Sequence, residues 1–237
     1  MKKLLLSILL LSALVSFAQV KEGKVTYELK IDMHRRIPAD NAQMLAMVPP
    51  FRKSKFELLF ADNQSFFKAK EEEQDIADQN QSGGVMIRMG SAEDVTYKNF
   101  SNQRYVQQRE FMGTNYLVEG PLNLLTWKLE EGSEKILGYN CKKATTKNAQ
   151  GNDVIVWYTE EISVPSGPDQ YSSLPGLILY LDSNKGEFVY TALAVDKKVN
   201  AKDIKAPNKG KKVTSEEFAK VRKEATGNNN GFRMVTN

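Results

Sequence analysis

The chain has 237 residues, 41% of them hydrophobic and 26% charged, and a formal net charge of +4. That length suits one sizeable domain with its own core, and the mixed charge excludes the dense basic stripe that a nucleic-acid partner requires. A single cysteine, Cys141, excludes a framework of intrachain disulfides.

Residues 1–18 read as a secretory leader. Lys2 and Lys3 form a basic start, residues 4–15 an apolar run, and Ser16-Phe17-Ala18 a small-x-small cleavage site. The mature protein is expected to begin at Gln19 and to lie in the periplasm or outside the cell. No later run is long and apolar enough for a transmembrane helix.

From 24 to 34 apolar and polar residues alternate. Val25, Tyr27, Leu29, Ile31 and Met33 fall on one side, the period of a half-buried strand. A short helix is expected within 39–48, on Ala42, Leu45, Ala46 and Met47, and Pro49-Pro50 stops it. Runs at 55–60 and 65–70 flank a turn-forming set, residues 61–64. An acidic, amide-rich loop is expected at 71–84. Short strands follow at 85–89, 95–100, 104–108, 115–119 and 126–130. Hairpins follow at 139–146 with 153–159, and at 177–181 with 187–199. Beyond 202 the chain turns polar; Thr214 and Glu217 form a capping box ahead of a helix near 214–225.

The stretch 157–180 is the most informative. Leu174-Pro175-Gly176-Leu177 reads as a type II turn with positive φ at Gly176, between two leucines that pack against something. Several segments resemble, in order and spacing, the GLPGLI family of secreted bacterial envelope proteins. They are Asn115-Tyr116-Leu117-Val118, Ile136-Leu137-Gly138-Tyr139, Val156-Trp157-Tyr158-Thr159, Gly167-Pro168 and Leu174-Pro175-Gly176-Leu177-Ile178-Leu179. One departure is Ser173, where that family has glycine. The resemblance implies no assigned catalytic residues. It implies an architecture similar to the Lol lipoprotein carriers, a curved sheet half-enclosing a helix-plugged apolar cavity.

The expected fold is therefore mainly β: a single domain over 19–202 built as a curved antiparallel half-barrel, with one or two short helices and a polar tail over 203–237. Chemistry is scarce. His34 is the only histidine, so a Cys141–His34 dyad or a serine triad would depend on it. In the alternative reading Cys141 is a small core residue. Glu160 and Glu161 are adjacent and would point to opposite sides of a strand. Met33, His34, Met44, Met47, Met86, Met89 and Cys141 are soft or borderline ligands without a compact spacing, so no metal and no cofactor is expected.

The expected function is binding without catalysis. The ligand would be a lipid or other apolar small molecule. Alternatively, another envelope protein would dock on the 157–177 surface, through Trp157, Tyr158, Tyr171, Leu174, Pro175, Gly176 and Leu177. A hydrolase of unrecognised type is the third reading.

Overall fold

The structure, a computed structural model, describes residues 20–70, 94–122 and 125–227. The expected leader, the loop at 71–84, the strand at 85–89 and the chain beyond 227 lie outside these residues. In chain order the elements are β1 (Gly23–Asp32), α1 (Ala42–Met47), β2 (Phe51–Ala61), β3 (Gln64–Ala69), β4 (Val95–Asn99), β5 (Arg104–Phe111) and β6 (Thr114–Pro121). Then follow β7 (Lys128–Ile136), β8 (Tyr139–Lys147), β9 (Asp153–Thr159), β10 (Leu177–Ser183), β11 (Phe188–Asp196), β12 (Lys211–Val213) and α2 (Ser215–Gly227).

All twelve strands of the described residues join one open sheet, in the order β12-β6-β5-β4-β3-β2-β1-β11-β10-β9-β8-β7. The fold is mainly β, and the sheet does not close into a barrel. Alternation in β1 does what the sequence predicts: Val25, Tyr27, Leu29 and Ile31 are buried and their neighbours are not. Asp62 and Asn63 both take positive φ, as do Met112-Gly113 and Leu137-Gly138. Each pair is the whole loop of a hairpin. Two successive positive φ values match the right-handed twist of the flanking strands, so short loops here fix register.

The two helices lie outside the sheet's interior. Asn41 caps α1 by accepting from Met44 N, but α1 buries no residue and Met47 is 77% exposed. It therefore does not plug the sheet, contrary to the Lol-like expectation; six residues between a cap and Pro49-Pro50 present too little apolar surface. The Thr214 capping box opens α2, with Thr214 N donating to Glu217 Oε2 at 2.7 Å and Glu217 N to Thr214 Oγ1 at 3.2 Å. Phe218 then packs on the rings of Phe111 and Tyr116. Ahead of it, β12 pairs in parallel with β6. The segment expected as a tail thus extends the sheet at its edge.

The interior is filled by the 160–176 connection between β9 and β10. Ile162 and Val164 join a core with Tyr27, Phe60, Phe67, Leu177 and Leu179. Tyr171 and Leu174 join a second core with Val156, Tyr158, Ile178 and Leu181. With core on both sides, β10 reads as the continuous run Leu-Ile-Leu rather than an alternation. Tyr27 Oη also donates to Ile178 O at 2.5 Å, so a tyrosine in the core keeps its polar end satisfied.

The Pro-Gly turn differs from its expected form. Gly176 N donates to Leu174 O at 2.8 Å, the i to i+2 bond of a γ-turn centred on Pro175, whose fixed negative φ suits that place. Gly176 has no positive φ; the positive φ, +78°, falls on Ser173. Gly176 is glycine for another reason: a Cβ there would lie 2.0 Å from Thr159 O. We predict that Gly176→Ala destabilises the protein by about 3 kcal/mol or more, because backbone must move. Ser173→Gly should stabilise by about 1 kcal/mol by relieving left-handed strain. Urea unfolding of both variants measures the two shifts.

Candidate functional site

The sequence-predicted site is largely core. Tyr158, Tyr171, Leu174, Gly176 and Leu177 are buried, Trp157 is half-buried against the first core, and only Pro175 is exposed. Buried side chains present no surface to a partner, so Leu174 and Leu177 act here by packing. Cys141 is also buried, and burial pushes its thiol up to about 11. His34 Nε2 bonds Val48 O at 2.7 Å. Neither residue meets the other. Glu160 pairs with Lys142 at 2.8 Å, and Glu161 accepts from Asn140 N at 2.8 Å. Among the described residues no three His, Cys, Asp or Glu side chains converge as metal ligands; Met86 and Met89 lie outside those residues.

The unusual chemistry lies on β4 and β5. Register places Lys98 opposite Tyr105 and Thr96 opposite Gln107. With Arg109 two residues on, these side chains share one face. They point toward the 160–176 connection. Lys98 is 1% exposed and donates to Gly167 O at 3.1 Å and to Tyr171 O at 2.8 Å. Asp169 Oδ1 accepts from Thr96 Oγ1 at 2.9 Å and from Arg109 Nη2 at 2.5 Å. Ser65 and Ser166 share a hydrogen bond of 2.9 Å. From the other side, Trp127 Nε1 donates to Ser172 O at 2.8 Å.

This network sets the charges. Burial alone would raise the Asp169 carboxyl, but Arg109, the Thr96 hydroxyl and Lys98 outweigh it and hold it below the usual carboxylate range. Burial pushes the Lys98 amine down to about 7, with Asp169 opposing. Beside Lys98 opens a cleft of about 80 Å³, lined by Thr96, Tyr105, Gln107, Leu122, Gln170 and Ser215. The Tyr105 and Ser215 hydroxyls are hydrogen-bonded to each other. A second, wider groove of about 450 Å³ lies beside Trp127, Thr145, Val154 and Ile155.

Reading by apolar alternation passes over this site, because in β4 the apolar Val95 and Tyr97 share one face and the buried residues, Thr96 and Lys98, lie on the other. The usable signal is a strand pair, β4 and β5, whose alternate positions Thr96, Lys98, Gln107 and Arg109 are all polar. Such a face is either wet or a network.

The elements define a class: a mainly β domain on one open sheet, with a polar cleft over a buried lysine. The chain belongs to the family described as N-glycanase peptide, N-terminal domain, whose model matches residues 62–218. It is similar to two solved structures of PNGF-II, in C2 and P21 space groups, with TM-scores of 0.57 and 0.56 and 17% identity to each. Each match covers 84% of this chain and 32% of the other, so the chain spans about a third of the length of those proteins. No curated protein matches the sequence.

The Lys98 amine has a consequence for stability. In the unfolded chain a lysine titrates near 10.5, and in the folded protein Lys98 titrates at about 7. Below about pH 7 both states carry the proton and the buried charge is a full burden. Above it the folded state has released a proton that the unfolded state still holds, so stability rises with pH. We predict a rise approaching about 1.4 kcal/mol per pH unit between about pH 7 and 9. Replacing Lys98 with Met should remove that slope, as read from urea midpoints across pH.

Proposed function

We propose that this protein is a non-catalytic binding protein whose ligand is the glycan part of a glycoprotein, held at the Lys98 cleft. One observation carries the reading: the cleft is lined by an amine, two amides and three hydroxyls, with the half-buried Tyr105 as one wall. Those groups complement sugar hydroxyls as donors and acceptors, and a phenol ring offers a face to a pyranose. Membership of an N-glycanase N-terminal family points to the same class of ligand. No bond-breaking step is assigned to the chain. Asp169 is tied to Arg109, and the cleft lining among the described residues includes no carboxylate pair for glycoside chemistry. Export past Gln19 and kinship with the GLPGLI family belong to the same proposal, supported by the leader-like start and the segments around Leu174-Pro175-Gly176.

A second reading, the carrier of an apolar molecule, draws on the groove beside Trp127. The two readings separate in one experiment. The purified protein is titrated with N-glycopeptides by calorimetry, and the glycopeptide is then recovered for mass spectrometry. We expect binding with the glycan still attached. The exposed Gln170 lines the cleft, so Gln170→Ala should weaken binding by about tenfold without moving the melting temperature. Release of free glycan would make the protein an enzyme. Acyl chains co-purifying with a protein that ignores glycopeptides would favour the carrier.

A further inference from the structure

Lys98 is a buried cation without a direct counter-ion among the described residues. Its two hydrogen-bond acceptors, Gly167 O and Tyr171 O, are neutral carbonyls. The nearby carboxylate is already committed, since Asp169 Oδ1 receives Thr96, Gln107 and Arg109. Buried charges in folded proteins are normally paired, because desolvation is otherwise uncompensated. An ammonium has three N–H groups, and two are taken. No acceptor for the third is found among the described residues, and Lys98 is one of the residues that line the cleft.

The neighbouring strand supplies a second donor, because Tyr105 is the register partner of Lys98 and shares its face. Where Tyr105 and Ser215 hydroxyls bond each other, one oxygen donates and the other accepts. The accepting group keeps its own O–H free, whichever of the two it is. At about 80 Å³ the cavity holds two or three waters at roughly 30 Å³ each. That is room for one small functional group, with the body of a ligand left outside beside the exposed Gln170. Two neighbouring donors lining a space of that size, one of them charged, match the two oxygens of a carboxylate.

We propose that the cleft is a carboxylate site, in which the acid group of an acidic sugar or of an acidic peptide side chain completes the hydrogen bonding of Lys98 Nζ and pairs its charge. The inference rests on the reading of this cleft as the binding site and names the chemistry it selects. Lys98 faces Asp169 and Tyr171 from the connection and Tyr105 from β5, and the Asp169 carboxylate in turn meets Arg109 from β5, Asp94 ahead of β4 and Tyr190 from β11. Arg109 and Asp169 hold each other ionised. The group that changes charge near neutrality is Lys98, lowered by burial. A bound carboxylate retains the Lys98 proton, so affinity falls as pH rises through neutrality.

The test uses the whole protein and four probes: glucuronate, acetate, N-acetyl-aspartate amide and glucose. Binding is read by NMR shifts of the Gly167 and Gln170 amides and by the melting temperature. Glucuronate and acetate should bind and glucose should not, with affinity dropping by about tenfold between about pH 6.5 and 8.5. Gln170→Glu sets a carboxylate at the cleft mouth and leaves the core untouched. It should abolish the acetate response while the protein stays folded. Aspartyl amide binding as well as glucuronate would place the source in peptide as much as in sugar. Glucose binding equal to glucuronate would overturn the carboxylate site and leave the glycan reading standing. Acetate and aspartyl amide binding without any sugar would support the carboxylate site and sink the glycan reading. Silence from all four probes, or an acetate response unchanged in Gln170→Glu, would overturn the inference.

Discussion

One ammonium group holds the crossing connection in place. Lys98 Nζ bonds two backbone carbonyls, Gly167 O and Tyr171 O, that would otherwise be buried without donors. A buried carbonyl left unpaired costs about 1–3 kcal/mol, more than a typical paired one contributes. The lysine therefore defines where the connection lies more than it adds net stability. Around it, Asp169 with Arg109 and Thr96, and Ser166 with Ser65, tie the connection to β3, β4 and β5; Trp127 ties it beside β7. The two apolar cores pack against the connection along that path.

The same constraint explains where backbone and packing are tight. The connection must cross the sheet and return into β10 over residues 160–176. It does so by letting Gly176 pass against Thr159 O, a space that admits no Cβ, and by holding Ser173 at a left-handed φ. Gly167 is likewise bare, with Ile178 where its Cβ would be. Local strain of this kind persists only where surrounding contacts over-determine it. Here those contacts are the two cores and the polar ties. The fold thus places a strained, well-anchored segment beside a small polar cleft.

Much of the frame was legible in the sequence, and the reasons are local. Alternation in 24–32 marks β1, and Asp62-Asn63 marks a hairpin through its tolerance of positive φ. Thr214 with Glu217 marks the start of α2. The 157–180 stretch holds the crossing connection, but Leu174 and Leu177, offered by the sequence as binding residues as well as packed ones, are core. The rest was not legible because it depends on contacts distant in sequence. Whether Gly176 needs a positive φ or a bare backbone is decided by Thr159, seventeen positions away. Tyr158 looks like a surface aromatic until the connection covers it, and Tyr171, within the connection, until it packs into the same core. Lys98 reads as a solvated strand residue; only the carbonyls of Gly167 and Tyr171, about seventy positions on, turn it inward. The short helix at 42–47 was found in place but not in role, because helical spacing alone does not show what lies against it.

The central claim is that Lys98 is buried between the connection and the cleft, has no direct counter-ion among the described residues, and is poised near neutrality. The most direct measurement is an NMR titration of the lysine side chains in protein labelled at the ε-carbon, with Lys98 assigned by comparison with Lys98→Met. The account predicts one lysine resonance with a midpoint near 7, well separated from the others. A Lys98 midpoint at the ordinary lysine value of about 10.5 would contradict it, showing a solvated or ion-paired amine and removing the basis for the cleft as a charged binding site.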